Sequence, residues 1–117
     1  MTTHTKRPYA QPFIALELAL SLIESLRPIV ARVRTRSARQ ARQLEDAASS
    51  IAANLAEGNR RQGRDRSHFF TIAAGSADET RCHLRIAQAW GWLTPTDTTP
   101  PLHLRGRQLA RLWKLSH

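Results

Sequence analysis

The chain is short of several things, and each shortage removes a class of explanation. Its 117 residues contain one cysteine, Cys82. An intramolecular disulfide is therefore impossible, and a zinc site lacks the opposing cysteine pair it would be built from. Cys82 reads as a small, half-buried helix residue rather than a reactive thiol. No apolar run approaches the ~20 residues a membrane-spanning helix needs. The longest candidate, residues 13–26, is broken by Glu17, Ser21, Glu24 and Ser25. The opening MTTHTKRPYAQPF shows neither the apolar stretch nor the small-residue cleavage site of a secretory signal, so a cytoplasmic location is the expectation. No segment alternates apolar and polar residues over a useful length, which leaves an all-α chain. A nucleophile elbow, a Gly-rich phosphate loop and a Cys/His catalytic arrangement are all missing. Enzyme chemistry is accordingly not expected, and no cofactor is implied.

Positive charge is abundant. Eighteen Lys and Arg stand against nine Asp and Glu, for a formal charge of +9, and sixteen of the eighteen are arginine. Arginine forks onto phosphate or carboxylate through two N–H groups, where lysine acts as a point charge. Arg27, Arg32, Arg34, Arg36, Arg39 and Arg42 fall within residues 27–42, a stretch without one acid. Arg60, Arg61, Arg64 and Arg66 crowd a second stretch, offset there by Asp65. A solvated basic surface is the plainer reading. The reading favoured is contact with the phosphate backbone of RNA or DNA, with Arg32, Arg34, Arg36, Arg39, Arg42, Arg60, Arg61, Arg64 and Arg66 as the contacting residues. No helix-turn-helix and no aromatic stacking platform is legible, so base-specific readout is not expected. The alternative is a module that docks an acidic protein.

Periodicity predicts four helices. Residues 1–9 form a loose leader, and 10–117 a single helical domain. Helix one starts near Ala10 to Phe13, with Leu16, Ala19, Leu22, Ile23, Leu26 and Val30 on one stripe. Pro28 either kinks it or ends it near Leu26, and the apolar spacing of Ile29, Val30 and Val33 favours a kink or restart. Ser37-Ala38-Arg39-Gln40 matches a capping box, with the serine hydroxyl serving a free N–H and the glutamine reaching back. Ala41, Leu44, Ala48, Ile51 and Leu55 then repeat by threes and fours, and Gly58 is expected just past the helix end in a left-handed conformation. Helix three runs from about Asp65 to Trp90, stopping at Gly91. Its inward stripe is Phe69, Ile72, Ala73, Ser76, Thr80, Leu84 and Ala87. TPTDTTPP, residues 94–101, reads as a rigid connector. A short basic fourth helix follows, carrying Arg105, Arg107, Arg111 and Lys114 and anchored by Leu102, Leu109, Leu112 and Trp113. Two separate basic zones at opposite ends of an antiparallel bundle are the consequence. Trp90, Trp92 and Trp113 suit the core or a subunit interface equally.

Two motifs carry a resemblance. SSIAANLAEG, residues 49–58, is similar to an S-[IV]-x-x-N-[IL]-A-E-G signature, and FFTIAAGSADET, residues 69–80, to an F-x-x-[IL]-A-x-G-S-x-x-E run. The stretch from Leu84 to Leu93, ending Trp90-Gly91-Trp92-Leu93, fits the closing pattern L-x-x-A-x-x-x-G-[YW]-[IL]. Together these resemble the four helix bundle protein family, also called 23S ribosomal RNA intervening-sequence proteins. The resemblance implies an up-and-down four-helix bundle assembled as a homopentameric ring. The accessory variability determinant of diversity-generating retroelements is similar, which adds nucleic acid and a reverse transcriptase to the implied partners.

Ser50, Asn54, Glu57, Gly58, Gly75, Ser76 and Glu79 are the polar and small residues of those motifs. Glu57 and Glu79 on facing helices suggest acid–base or metal chemistry, but a di-iron bundle wants Glu-x-x-His, and Cys82 stands where that histidine belongs. A structural role is the better reading: Ser50, Ser76 and Gly75 permit close helix contact, while Asn54 and Glu57 satisfy helix ends and turn amides. His4, His68, His83, His103 and His117 show no ligand spacing beyond the weak Glu79/His83 pair, and each is expected at the surface.

Overall fold

The computed structural model describes residues 13–116, except for the side chains of residues 108, 109 and 112–116. The expected leader, any helix start before Phe13, and the expected anchors Leu109, Leu112 and Trp113 lie outside what is described. Among the described residues there are four helices and no strand: α1 Ile14–Arg34, α2 Ala38–Asn59, α3 Gly63–Ala89 and α4 Pro95–Ser116. Each packs on two others, α1 and α3 both flanked by α2 and α4. No described helix is long and apolar enough to cross a membrane.

The sequence periodicity translates directly into one shared core. α1 contributes Ala15, Ala19, Leu22, Leu26, Ile29, Val30 and Val33, and α2 contributes Ala41, Leu44, Ala48, Ile51 and Leu55. Fully burying a leucine or isoleucine side chain is worth about 1.5–3 kcal/mol, so these stripes decide how the helices face one another. α1 runs unbroken through Pro28, which sits on the exposed face with Glu24, the residue whose carbonyl loses its N–H partner.

α2 begins where expected. The Ser37 hydroxyl accepts the Gln40 N–H at 3.0 Å. The glutamine side chain does not reach back as the capping box required; its amide lies 3.3 Å from His83 Nδ1 on α3. Gly58 departs further. It is inside α2 and buried, not beyond the helix end. A Cβ there would stand 2.7 Å from Phe70 Cε1 and 2.9 Å from Cδ1. The glycine is required by the approach of a ring to the helix backbone, a demand sequence cannot separate from the demand for a left-handed turn.

Three expectations on α3 are corrected. Phe70, not Phe69, fills the core, and Ile72 is 37% exposed, because the stripe turns through Phe70, Ala73, Ala77 and Leu84. His83 is buried beside Gln40 rather than at the surface. Cys82 is exposed. Gly91 does stop the helix, with φ +81°. The Gly91 N–H reaches the Gln88 carbonyl at 2.9 Å and the Trp92 N–H reaches Ala87 at 2.9 Å, the paired bonds of a Schellman motif.

α4 starts about six residues before the expected position. Thr94 and Asp97 cap it reciprocally: the Thr94 N–H donates to Asp97 Oδ2 at 2.7 Å, and the Asp97 N–H to Thr94 Oγ1 at 3.2 Å. Pro95 occupies the first helical position, where a missing N–H costs nothing. Pro100 and Pro101 are inside the helix. With no N–H, they leave the Thr96 and Asp97 carbonyls without their usual donors. One turn earlier the Thr99 hydroxyl donates to the Pro95 carbonyl at 2.8 Å, and the Thr98 hydroxyl lies 3.1 Å from both that carbonyl and Gln88 Oε1 of α3.

Candidate nucleic-acid interface

The α1–α2 link gathers the first arginine group. Arg32 and Arg34 lie in the last turn of α1, where the helix dipole favours cations. Both are engaged: Arg32 with Asp97 of α4 at 2.8 Å, Arg34 with Glu45 of α2 at 2.8 Å. Arg36 is in the link, and Arg39 and Arg42 are in the first two turns of α2. All three are exposed, and among the described residues no carboxylate comes within ion-pair distance of any of them. The first turn of α2 also holds no acid, so its unpaired N–H groups add to the positive potential rather than offset a negative one.

The second group sits beyond the far end of α2, about 33 Å away at 1.5 Å per residue. It is largely occupied. Glu57 takes Arg60 through Oε1 at 2.7 Å and Arg61 through Oε2 at 2.7 Å. Those two guanidinium groups, Arg61 first, hold the Glu57 carboxyl below its ordinary range. Arg61 also lies 5.3 Å from the Phe69 ring centroid and Arg66 4.7 Å from that of Phe70, both within cation–π range. Arg64 is exposed without a carboxylate partner among the described residues. The nine arginines are therefore divided between two places, and only one place keeps several of them open.

The motif residues form a scaffold between α2 and α3. Ser76 donates to the Ser50 hydroxyl at 2.8 Å, Asn54 Nδ2 donates to Ser50 Oγ at 3.0 Å and to the Ser50 carbonyl at 2.8 Å, and Thr80 donates to the Ser76 carbonyl at 2.8 Å. Asn54 thus serves its own helix and Glu57 serves two guanidinium groups, neither of them a turn amide. Gly75 is exposed and faces open space, so it makes no close helix contact here. Glu79 is an exposed carboxylate 3.6 Å from His83 Nε2. Among the described residues no three His, Cys, Asp or Glu side chains gather closely enough to hold a metal.

One pair of residues that sequence reasoning left undecided is separated by the structure. Trp92 is half-buried against the core, whereas Trp90 is 68% exposed. Their rings stack with centroids 5.9 Å apart and planes 14° apart. The signal for this arrangement was the Trp-Gly-Trp triplet at a helix end, which periodicity cannot interpret.

The family model described as "23S rRNA-intervening sequence protein" matches residues 15–111. No match is found among curated proteins or among solved structures.

Proposed function

The chain belongs to the 23S rRNA-intervening sequence protein family, and from that premise we propose that it is a non-catalytic, cytoplasmic, antiparallel four-helix bundle that assembles as a homopentameric scaffold and binds the phosphate backbone of RNA or DNA without sequence preference. The observation that carries the binding is the open cluster Arg36, Arg39 and Arg42 at the acid-free start of α2. Three guanidinium groups with no carboxylate partner among the described residues, beside a helix N-terminus, attract a polyanion, and they release its counterions when it docks. Exposed Ile14, Leu20 and Ile72 give apolar surface that neighbouring copies in a ring would cover. Five copies at +9 each carry a formal +45, a charge that bound nucleic acid relieves. A reverse transcriptase is the protein partner this reading extends to.

Light scattering for mass, followed on the same sample by salt-titrated binding to generic DNA and RNA, tests both halves. The expected result is a mass near five subunits and an affinity that falls with a log–log salt slope of about −0.9 per phosphate contacted on duplex. A monomer that ignores both nucleic acids at low salt overturns the scaffold and the ligand together. Binding confined to an acidic protein would overturn the nucleic-acid half alone.

A further inference from the structure

The α3–α4 link brings Trp92, one ring of an aromatic pair, against the open arginine end. The Schellman motif fixes the backbone at Trp90, Gly91 and Trp92, so the two indoles emerge on either side of a left-handed glycine and stack. Trp92 is anchored by the core. Trp90 extends the stack outward, and at 68% it is far more exposed than Ile14, Leu20 or Ile72. Trp92, Ala31, Arg32, Thr35 and Arg36 line a pocket of about 340 Å³. Arg32 is tied to Asp97, but Arg36 is not paired with any described carboxylate. Trp92, the inner ring of the stack, thus shares a pocket with an open guanidinium, and Trp90 lies one ring further out, with Arg39 and Arg42 close by in sequence on α2.

We propose that the Trp90–Trp92 stack is a base-stacking platform for single-stranded nucleic acid, with Arg36 taking an adjacent phosphate. This rests on the phosphate-binding reading above and narrows its ligand. A duplex keeps its base faces inside its own stack, so an exposed indole gains nothing from it; an unpaired nucleotide offers a free face. An acidic peptide would answer the arginine but not the planar ring. A second copy docking by this same end would set Arg36, Arg39 and Arg42 against themselves. The platform reads no sequence, since every base has a π-face.

The test compares the full chain with Trp90→Ala and Trp90→Phe, using an oligodeoxythymidine strand and its duplex with oligodeoxyadenosine. The single strand should quench tryptophan fluorescence. Trp90→Ala should weaken single-strand binding about 5- to 150-fold, leave duplex binding unchanged, and be largely restored in Trp90→Phe. Unchanged single-strand affinity in Trp90→Ala overturns the platform while leaving backbone binding intact. Absence of binding to either form by the unaltered chain at low salt overturns backbone binding itself, and the platform with it. A fall in assembly mass in Trp90→Ala, read by light scattering, overturns the proposal by making Trp90 a contact between copies.

Discussion

At the α2–α3 link, Arg60 and Arg61 close on Glu57 and Arg66 lies over Phe70; at the α1–α2 link, Arg36, Arg39 and Arg42 meet no described carboxylate. Both stretches look alike as strings of arginine. They differ in what stands underneath. The first rests on a carboxylate four residues or fewer away in the chain and on two phenylalanines of the next helix. In the second, Arg32 and Arg34 close on Asp97 and Glu45, but Arg36, Arg39 and Arg42 have only the start of a helix beneath them. Arginine density therefore does not measure ligand capacity: a guanidinium whose charge is already offset by a carboxylate gains less from a phosphate than one with no carboxylate beside it.

The comparison can be broken hardest at the closed end. Phe70→Ala empties a fully buried site and should cost about 3–5 kcal/mol; Gly58→Ala forces a methyl into the Phe70 ring and should cost about 1–3 kcal/mol. Urea unfolding reads both. If Gly58→Ala proved neutral, the ring-on-backbone packing would not be limiting the approach of α2 and α3.

The open end should respond in binding and not in folding. Replacing Arg36, Arg39 and Arg42 together with alanine should flatten the log–log salt slope by up to about 0.9 for each phosphate no longer neutralised. The urea midpoint should stay close to that of the unaltered chain, as for most surface substitutions, within about 0.5 kcal/mol per site. The same number of alanines at Arg60, Arg61 and Arg64 should change the slope less. Equal slopes in the two triple variants would erase the distinction drawn between the ends.

The smallest effect is on pH dependence. Glu57 is held below its ordinary range by Arg61 and Arg60, and Asp97 by the Thr94 N–H and hydroxyl and then by Arg32. A carboxyl depressed in the folded state adds stability that is fully present above its unfolded pKa, about 4. That stability is lost as pH falls through the folded value. Urea midpoints should thus decline below about pH 4, and Glu57→Gln should make the decline shallower. A decline of the same steepness in Glu57→Gln would remove Glu57 from the causes.

Much of the fold was legible because apolar spacing is a direct record of which face is buried. Ala41, Leu44, Ala48, Ile51 and Leu55 were expected on a seam and all are buried. Three failures share a cause: one local signal fits two different structures. Gly58 suits a left-handed turn and a close ring contact alike. Pro100 and Pro101 signal a connector, yet Thr94 and Asp97 supply a cap strong enough to start a helix ahead of them. Phe69 and Phe70 are adjacent, and a shift of one position, about 100° around the helix, selects which is buried. The division of the arginines was legible only in part: Glu57 stands three and four residues before Arg60 and Arg61, the spacing that pairs side chains along a helix, whereas the partners of Arg32 and Arg34 are Asp97 and Glu45 on other helices.

Cys82 is the single thiol in the chain and stands exposed on α3. It gives each copy one chemically addressable point. A maleimide dye would mark every subunit once, so the number of photobleaching steps in a single particle is a direct census of how many chains that particle contains.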